Sequence, residues 1–246
     1  VLSISSCDIP IFAGACAVLI LLAAAVTNAA LRLNVTGASD GDTIVAGAGD
    51  DTINGALGAD TLTGGAGADD FIFSNLFNTA NALEAASITD FNSAQNDQLG
   101  NFSITDLEQS AALTDLVATT NAATSLAGGN AVDVDVIAAA TDLGTLTGNV
   151  LVLNANLAST GAVETALENG GTLQLTANGA FAANDGFLVA YDNGVNSFLA
   201  LATSAAGAAD NAQFAAADLT VTNLVPLAGV TDVTTLADAN FLNFLA

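Results

Sequence analysis

Four aspartates recur at intervals of nine residues: Asp42, Asp51, Asp60 and Asp69. Two positions after each stands a large apolar residue, Ile44, Ile53, Leu62 and Phe71. Two positions before stand Asp40, Gly49, Gly58 and Gly67. The blocks GASDGDTIV, AGAGDDTIN, GALGADTLT and GGAGADDFI follow one another without a gap over residues 37–72. A period held in phase by an acid and an apolar residue over four copies is the signature of a stacked repeat. Each block splits into a turn of six residues and a strand of three. Glycine supplies the positive φ that tight turns need and lets backbone carbonyls approach an ion. In the strands, alternate side chains face opposite ways. Ile44, Ile53, Leu62 and Phe71 are therefore expected to stack as an apolar core.

The blocks follow the pattern G-G-x-G-x-D-x-U-x, and the segment resembles the RTX (hemolysin-type) calcium-binding family of secreted bacterial proteins. The resemblance implies a short parallel β-roll with Ca2+ as its cofactor, bound by carboxylates and backbone carbonyls. Two nonapeptides make one coil turn in that family. Carried onto this chain, loop 37–42 faces loop 55–60, and loop 46–51 faces loop 64–69. The implied metal residues are Gly37, Asp40, Asp42, Gly49, Asp51, Gly55, Gly58, Asp60, Gly64, Gly67 and Asp69. Ala38, Asp40, Ala46, Ala56 and Leu57 depart from the pattern and are expected to loosen the turns without breaking the aspartate ladder. The stretches 88–91 and 96–99 resemble the segment that often closes such rolls. Asp90 and Asp97 are further calcium candidates there, and simple turn aspartates explain them equally well.

The formal charge is −24, with 25 acidic residues and a single basic one, Arg32. Nucleic acid and anionic membrane surfaces are poor partners for such a chain, because nothing neutralises their phosphates. Bound calcium relieves the self-repulsion and couples folding to metal. With 52% hydrophobic residues the chain is expected to bury a core rather than remain disordered. Its lysine-free, small-residue composition looks like that of bacterial surface-layer and extracellular matrix proteins. Cys7 and Cys16 can form a disulfide in an oxidising compartment or remain buried thiols.

The chain divides into an apolar N-terminal segment (1–32), the roll (33–73), a roll-closing segment (74–100) and a β-rich, sandwich-like C-terminal domain (101–246). The expected fold class is mainly β. Residues 9–31 carry no charge and are expected to be helical. They are long enough to span a bilayer. Burial against neighbouring subunits is preferred over a membrane anchor, since large apolar surfaces on soluble proteins mark interfaces, and ordinary packing into the chain's own core is the third option. Strands are expected over 131–137, 149–154, 172–176, 187–191, 198–203 and 219–225, with a hairpin at Asp192-Asn193-Gly194. Helices are expected over 159–167 and 107–117. The apolar tail, 236–246, suits either an uncleaved signal for type I secretion, as the resemblance implies, or a final strand.

No His and no Lys exclude imidazole–nucleophile pairs, imidazole zinc sites, phosphate-binding lysine loops and Schiff bases. The four glutamates, Glu84, Glu108, Glu164 and Glu168, are scattered, and the last two read as a solvated helix face. The chain is therefore expected to be a non-enzymatic, extracellular, calcium-binding structural protein. Its partner is itself, as a homo-oligomer or polymer forming a filament or surface layer. A calcium-dependent adhesin, or the secretion and folding tail of a larger protein, are the alternatives.

Overall fold

The nine-residue period becomes two walls of strands that lean on one apolar seam. The computed structural model describes residues 2–5, 20–22, 27–73, 86–104, 107–108, 113, 115–118, 121–126, 131–228 and 230–244. The first wall orders Leu2–Ser5, Leu33–Thr36, Thr52–Asn54, Asp70–Ile72 and Gln98–Gly100, all parallel. The second orders Ile20–Leu22, Thr43–Ala48, Thr61–Ala66 and Ser87–Ile88, also parallel. Within the repeats each residue pairs with the one 18 positions on: Ile44 with Leu62, Ile53 with Phe71. Two nonapeptides thus complete one coil, as the resemblance implied. Ile44, Leu62 and Ile88 form one apolar ladder, and Val35, Ile53, Phe71 and Leu99 the other, all of them fully buried.

Strands Thr52–Asn54 and Asp70–Ile72 keep the expected three residues, but Thr43–Ala48 and Thr61–Ala66 run to six. Gly47 and Gly65 pair with each other at positive φ, so both chains bend together and the pairing continues into the loop.

The second wall does not stop at the roll. Leu227 pairs with Ile88, which joins Leu219–Leu227 to the last coil. From there the sheet continues antiparallel through Ser197–Ser204 and Asp185–Asp192, then parallel to Val150–Asn156 and Val134–Ile137. The β-rich character of the C-terminal region is as expected, with strands within or over 131–137, 149–154, 187–191, 198–203 and 219–225. Of the expected strand 172–176 only Leu175–Thr176 forms, paired with Thr141–Asp142 apart from this sheet, the residues before it being drawn into the turn after the helix. The Asp192-Asn193-Gly194 hairpin is present, with Asp192 opposite Ser197 and Gly194 at φ 85°. One face of this sheet shares its apolar cluster with the roll. The other packs against helix Thr160–Leu167 and the turns after it. Ser159 caps that helix by accepting the Ala162 N–H.

Two helix expectations change. Asp115–Ala118, which overlaps the end of the expected helix 107–117, is a strand paired with Asp185-Gly186. Its neighbours Leu116 and Val117 are buried in opposite apolar clusters, a two-sided burial that suits a strand. In the apolar N-terminal segment, Ile20–Leu22 is a strand, because it supplies the partners that Thr43–Val45 lacks on its outer side. The rest of that helix expectation, with Cys7 and Cys16, lies outside the described residues. No helix among the described residues is long and apolar enough to cross a membrane.

Candidate metal centre

The 18-residue register brings aspartates into line along both edges of the roll, where the loops turn from one wall to the other. All four repeat aspartates are buried, none more than 2% exposed. A carboxylate is taken out of water only where donors or a cation receive it. One oxygen of Asp51, of Asp60, of Asp69 and of Asp97 finds a backbone donor in the preceding coil. Leu33 N–H donates to Asp51 Oδ1 at 2.8 Å, Asp51 N–H to Asp69 Oδ1 at 2.9 Å, and Asp69 N–H to Asp97 Oδ1 at 3.1 Å. On the other edge Asp42 N–H donates to Asp60 Oδ1 at 2.8 Å.

The second oxygens differ. Asp42 Oδ2 accepts from Ala38 N–H at 2.5 Å. Asp51 Oδ2 and Asp69 Oδ2 are buried and accept from no protein donor. Such atoms are rare, and each calls for a missing partner. Room for a cation is built in by glycine. A Cβ on Gly37 would lie 2.3 Å from Asp42 Oδ2, on Gly55 2.1 Å from Asp60 Oδ2, and on Gly64 2.3 Å from Asp69 Oδ2. The loops also stack backbone to backbone. Gly67, at φ +134°, would place a Cβ 2.2 Å from Gly49 O, and Gly58, at φ +120°, 2.6 Å from Asp40 O. Gly49 meets Leu31 O in the same way. Loops 46–51 and 64–69 therefore face each other, as do 37–42 and 55–60.

Burial pushes the Asp69 carboxyl up to about 7, against the hydrogen bond from Asp51, with the charges of Asp97, Asp51 and Asp90 adding to the rise. Burial likewise pushes Asp97 up to about 6, helped by Asp90 and Asp70, and raises Asp51 and Asp70. The edge holding Asp51, Asp69 and Asp97 is thus short of positive charge. Arg32 answers part of this from the rim, pairing with Asp50. Asp50, Asp70 and Arg32 were not among the expected site residues; the doubled acids Asp50-Asp51 and Asp69-Asp70 were the available signal.

Asp40 is exposed in its loop and contributes a carbonyl beneath Gly58. Asp90 gives both oxygens to the main chain, accepting from Gly64 N–H at 3.0 Å and Gly65 N–H at 2.8 Å. Asp97 also uses both, its Oδ2 accepting from Asn92 N–H at 2.8 Å. Glu164 and Glu168 do not form a solvated face. Glu168 accepts from the Ala217 and Leu219 N–H groups, and Glu164 from Val221 N–H, each at 2.8 Å. The edge of strand Leu219–Leu227 needs acceptors there, and the helix brings carboxylates to it.

Among the described residues no three His, Cys, Asp or Glu side chains converge. Carboxylate pairs with stacked carbonyls are what remain, an all-oxygen donor set that fits a hard divalent cation such as calcium. Residues 36–71 match the RTX calcium-binding nonapeptide repeat, in 4 copies. No curated protein and no solved structure matches the chain. This stretch is therefore a β-roll of calcium-binding repeats.

Proposed function

We propose that this chain is a secreted, non-enzymatic structural protein whose roll is stiffened by calcium and which self-assembles into an extracellular filament or surface layer. The observation that carries the calcium part is the pair of buried, donorless oxygens of Asp51 and Asp69 in facing loops. When bound, calcium supplies the positive charge that the edge lacks. Asp51 and Asp69 hold it by their second oxygens, while their first oxygens keep the coils in register through the main chain. Loop 37–42 binds less firmly, since Asp42 Oδ2 already has the Ala38 N–H.

Support for assembly comes from the strand order. Leu2–Ser5 and Ile20–Leu22 stand at one end of the two walls, each paired on a single side among the described residues. Open strand edges are templates for strand addition by another chain. A charge of −24 opposes association unless cations screen it, so assembly is expected to need calcium. Negative-stain electron microscopy tests this. Sheets or fibres in millimolar calcium that loosen in chelator are the expected result; dispersed particles in both conditions would remove the assembly reading.

One observation favours an adhesin as a second reading. A cleft of mixed lining lies between the last coil and the C-terminal sheet, where Thr89, Asp90, Asn92, Ser93, Thr231 and Asp232 stand beside the apolar Phe91, Ala228 and Val230. Hydroxyls and carboxylates without a base suit a neutral polyhydroxylated ligand rather than an anion.

A further inference from the structure

The last rung of the aspartate ladder is built differently from those before it. In turn 92–97 the groups that would meet a cation are already engaged. Asn92 O accepts from Gln95 N–H at 3.0 Å, and Ser93 O from Asn96 N–H at 3.1 Å. A further donor to this turn comes from more than 140 residues away. Asn240, only 3% exposed, donates its Nδ2 to Asp97 O at 3.0 Å and to Ser93 O at 3.3 Å, and its Oδ1 accepts from Ala237 N–H at 3.1 Å. A side-chain amide with both ends committed is a rigid part.

The residues around Asn240 complete the attachment. Gln98 Nε2 donates to Ala239 O at 2.8 Å, and Leu242 N–H to Leu99 O at 2.7 Å. Phe241 bridges to Leu99 as a parallel partner on the outer side of the first wall. Gly100 leaves the space that Leu242 occupies, since a Cβ there would lie 2.3 Å from Leu242 Cβ. The tail thus closes the open edge of Gln98–Gly100 and fixes the turn that carries Asp97. Asp97 Oδ1 in turn holds the Asp69 N–H, and Asp69 offers the donorless oxygen to the cation.

We propose that residues 236–244 form a metal-free clamp that sets the calcium affinity of the roll, with Asn240 as its positioning residue. The path runs from Asn240 through turn 92–97 and the Asp97 carboxylate to the 64–69 loop. The proposal rests on the calcium-binding reading of that loop. Coupling of this kind is reciprocal, so calcium in the roll must also tighten the tail on the last coil.

The test uses the full chain, stripped with chelator and titrated with calcium by calorimetry. Tyr191, the single tyrosine, lies buried in the C-terminal sheet and reports its integrity by fluorescence. Asn240→Ala is expected to weaken calcium binding about tenfold with the Tyr191 signal unchanged. Gln98→Ala, which removes an exposed contact of the same tail, is expected to weaken it about threefold. Calcium is expected to slow hydrogen exchange at Leu242 N–H in the natural chain and less so in Asn240→Ala. A packing role alone would lower the melting temperature in chelator and leave calcium affinity unchanged, which overturns the proposal. If Asn240→Ala loses the Tyr191 signal, Gln98→Ala decides: natural affinity there, or loss of the same signal, also overturns it. A natural chain that binds no calcium at all refutes the calcium reading itself, a result distinct from either.

Discussion

Gly67→Ala separates the two calcium loops that face each other, and its cost can be worked from the contact. The new Cβ would lie 2.2 Å from Gly49 O and 2.5 Å from Gly49 C. Carbon and oxygen ordinarily approach to about 3.3 Å. The coils must therefore part by about 1 Å, and the obstacle is backbone, which cannot rotate aside. Parting breaks the Gly49 N–H bond to Ala66 O (2.7 Å) and the Ala68 N–H bond to Asp50 Oδ1 (3.1 Å). At about 1 kcal/mol each, these contribute roughly 2 kcal/mol. Holding a non-glycine residue at φ +134° adds roughly 1–3 kcal/mol. The total, about 3–5 kcal/mol, is a large share of the roughly 5–15 kcal/mol that holds a domain together. Urea unfolding in calcium should show the loss, and calorimetry a weaker calcium step. Gly161→Ala is the control: no atom lies nearer than 3.9 Å, and in helix Thr160–Leu167 alanine should stabilise by up to about 1 kcal/mol. A Gly67→Ala chain that unfolds within about 0.5 kcal/mol of the natural one and binds calcium equally would refute the stacked-loop account.

Asp51→Asn is expected to weaken calcium binding more than Asp42→Asn, because the second oxygen of Asp51 has no protein donor whereas that of Asp42 accepts from Ala38 N–H; equal losses in calorimetric titrations would remove that ranking. The pH dependence should reverse sign with metal. The folded-state values of Asp69 (about 7) and Asp97 (about 6) lie above the ordinary 3.8, so the folded chain holds these protons more tightly. Their contribution is present at low pH and lost as pH rises through 6 and 7. In chelator the melting temperature should therefore fall between pH 5 and pH 8. In millimolar calcium it should rise over that interval, since protons compete with the cation. Parallel slopes in the two conditions would count against a carboxylate-held ion.

The parts of the fold legible in the sequence are those fixed by neighbours or by the repeat itself. The aspartate and apolar ladders, the 18-residue register, the Ser159 cap and the Asp192-Asn193-Gly194 turn are of this kind. The parts that escaped are set by distant chain. Asp115–Ala118 takes its strand conformation from Asp185-Gly186, some 70 residues on. Glu164 and Glu168, spaced like an exposed helical pair, face N–H groups of a strand about 50 residues away. Phe241 and Phe244 read as a terminal apolar run, and nothing local reveals that they cover the last coil. A pattern reports which face is buried, and leaves open against what.

The register of the roll has a consequence for how such a chain changes over generations. Between repeats the pairing step is 18 residues, yet Thr61 pairs with Ser87 and Asp70 with Gln98, steps of 26 and 28. Leu62 still meets Ile88, and Phe71 still meets Leu99, as squarely as any earlier rungs. The ladder is thus indifferent to how much chain is threaded between Phe73 and Ala86. Insertions accepted there leave the calcium-holding coils untouched, which makes this junction a natural graft point for guest peptides, while a residue gained or lost within a three-residue strand turns that rung's apolar side chain out of the core.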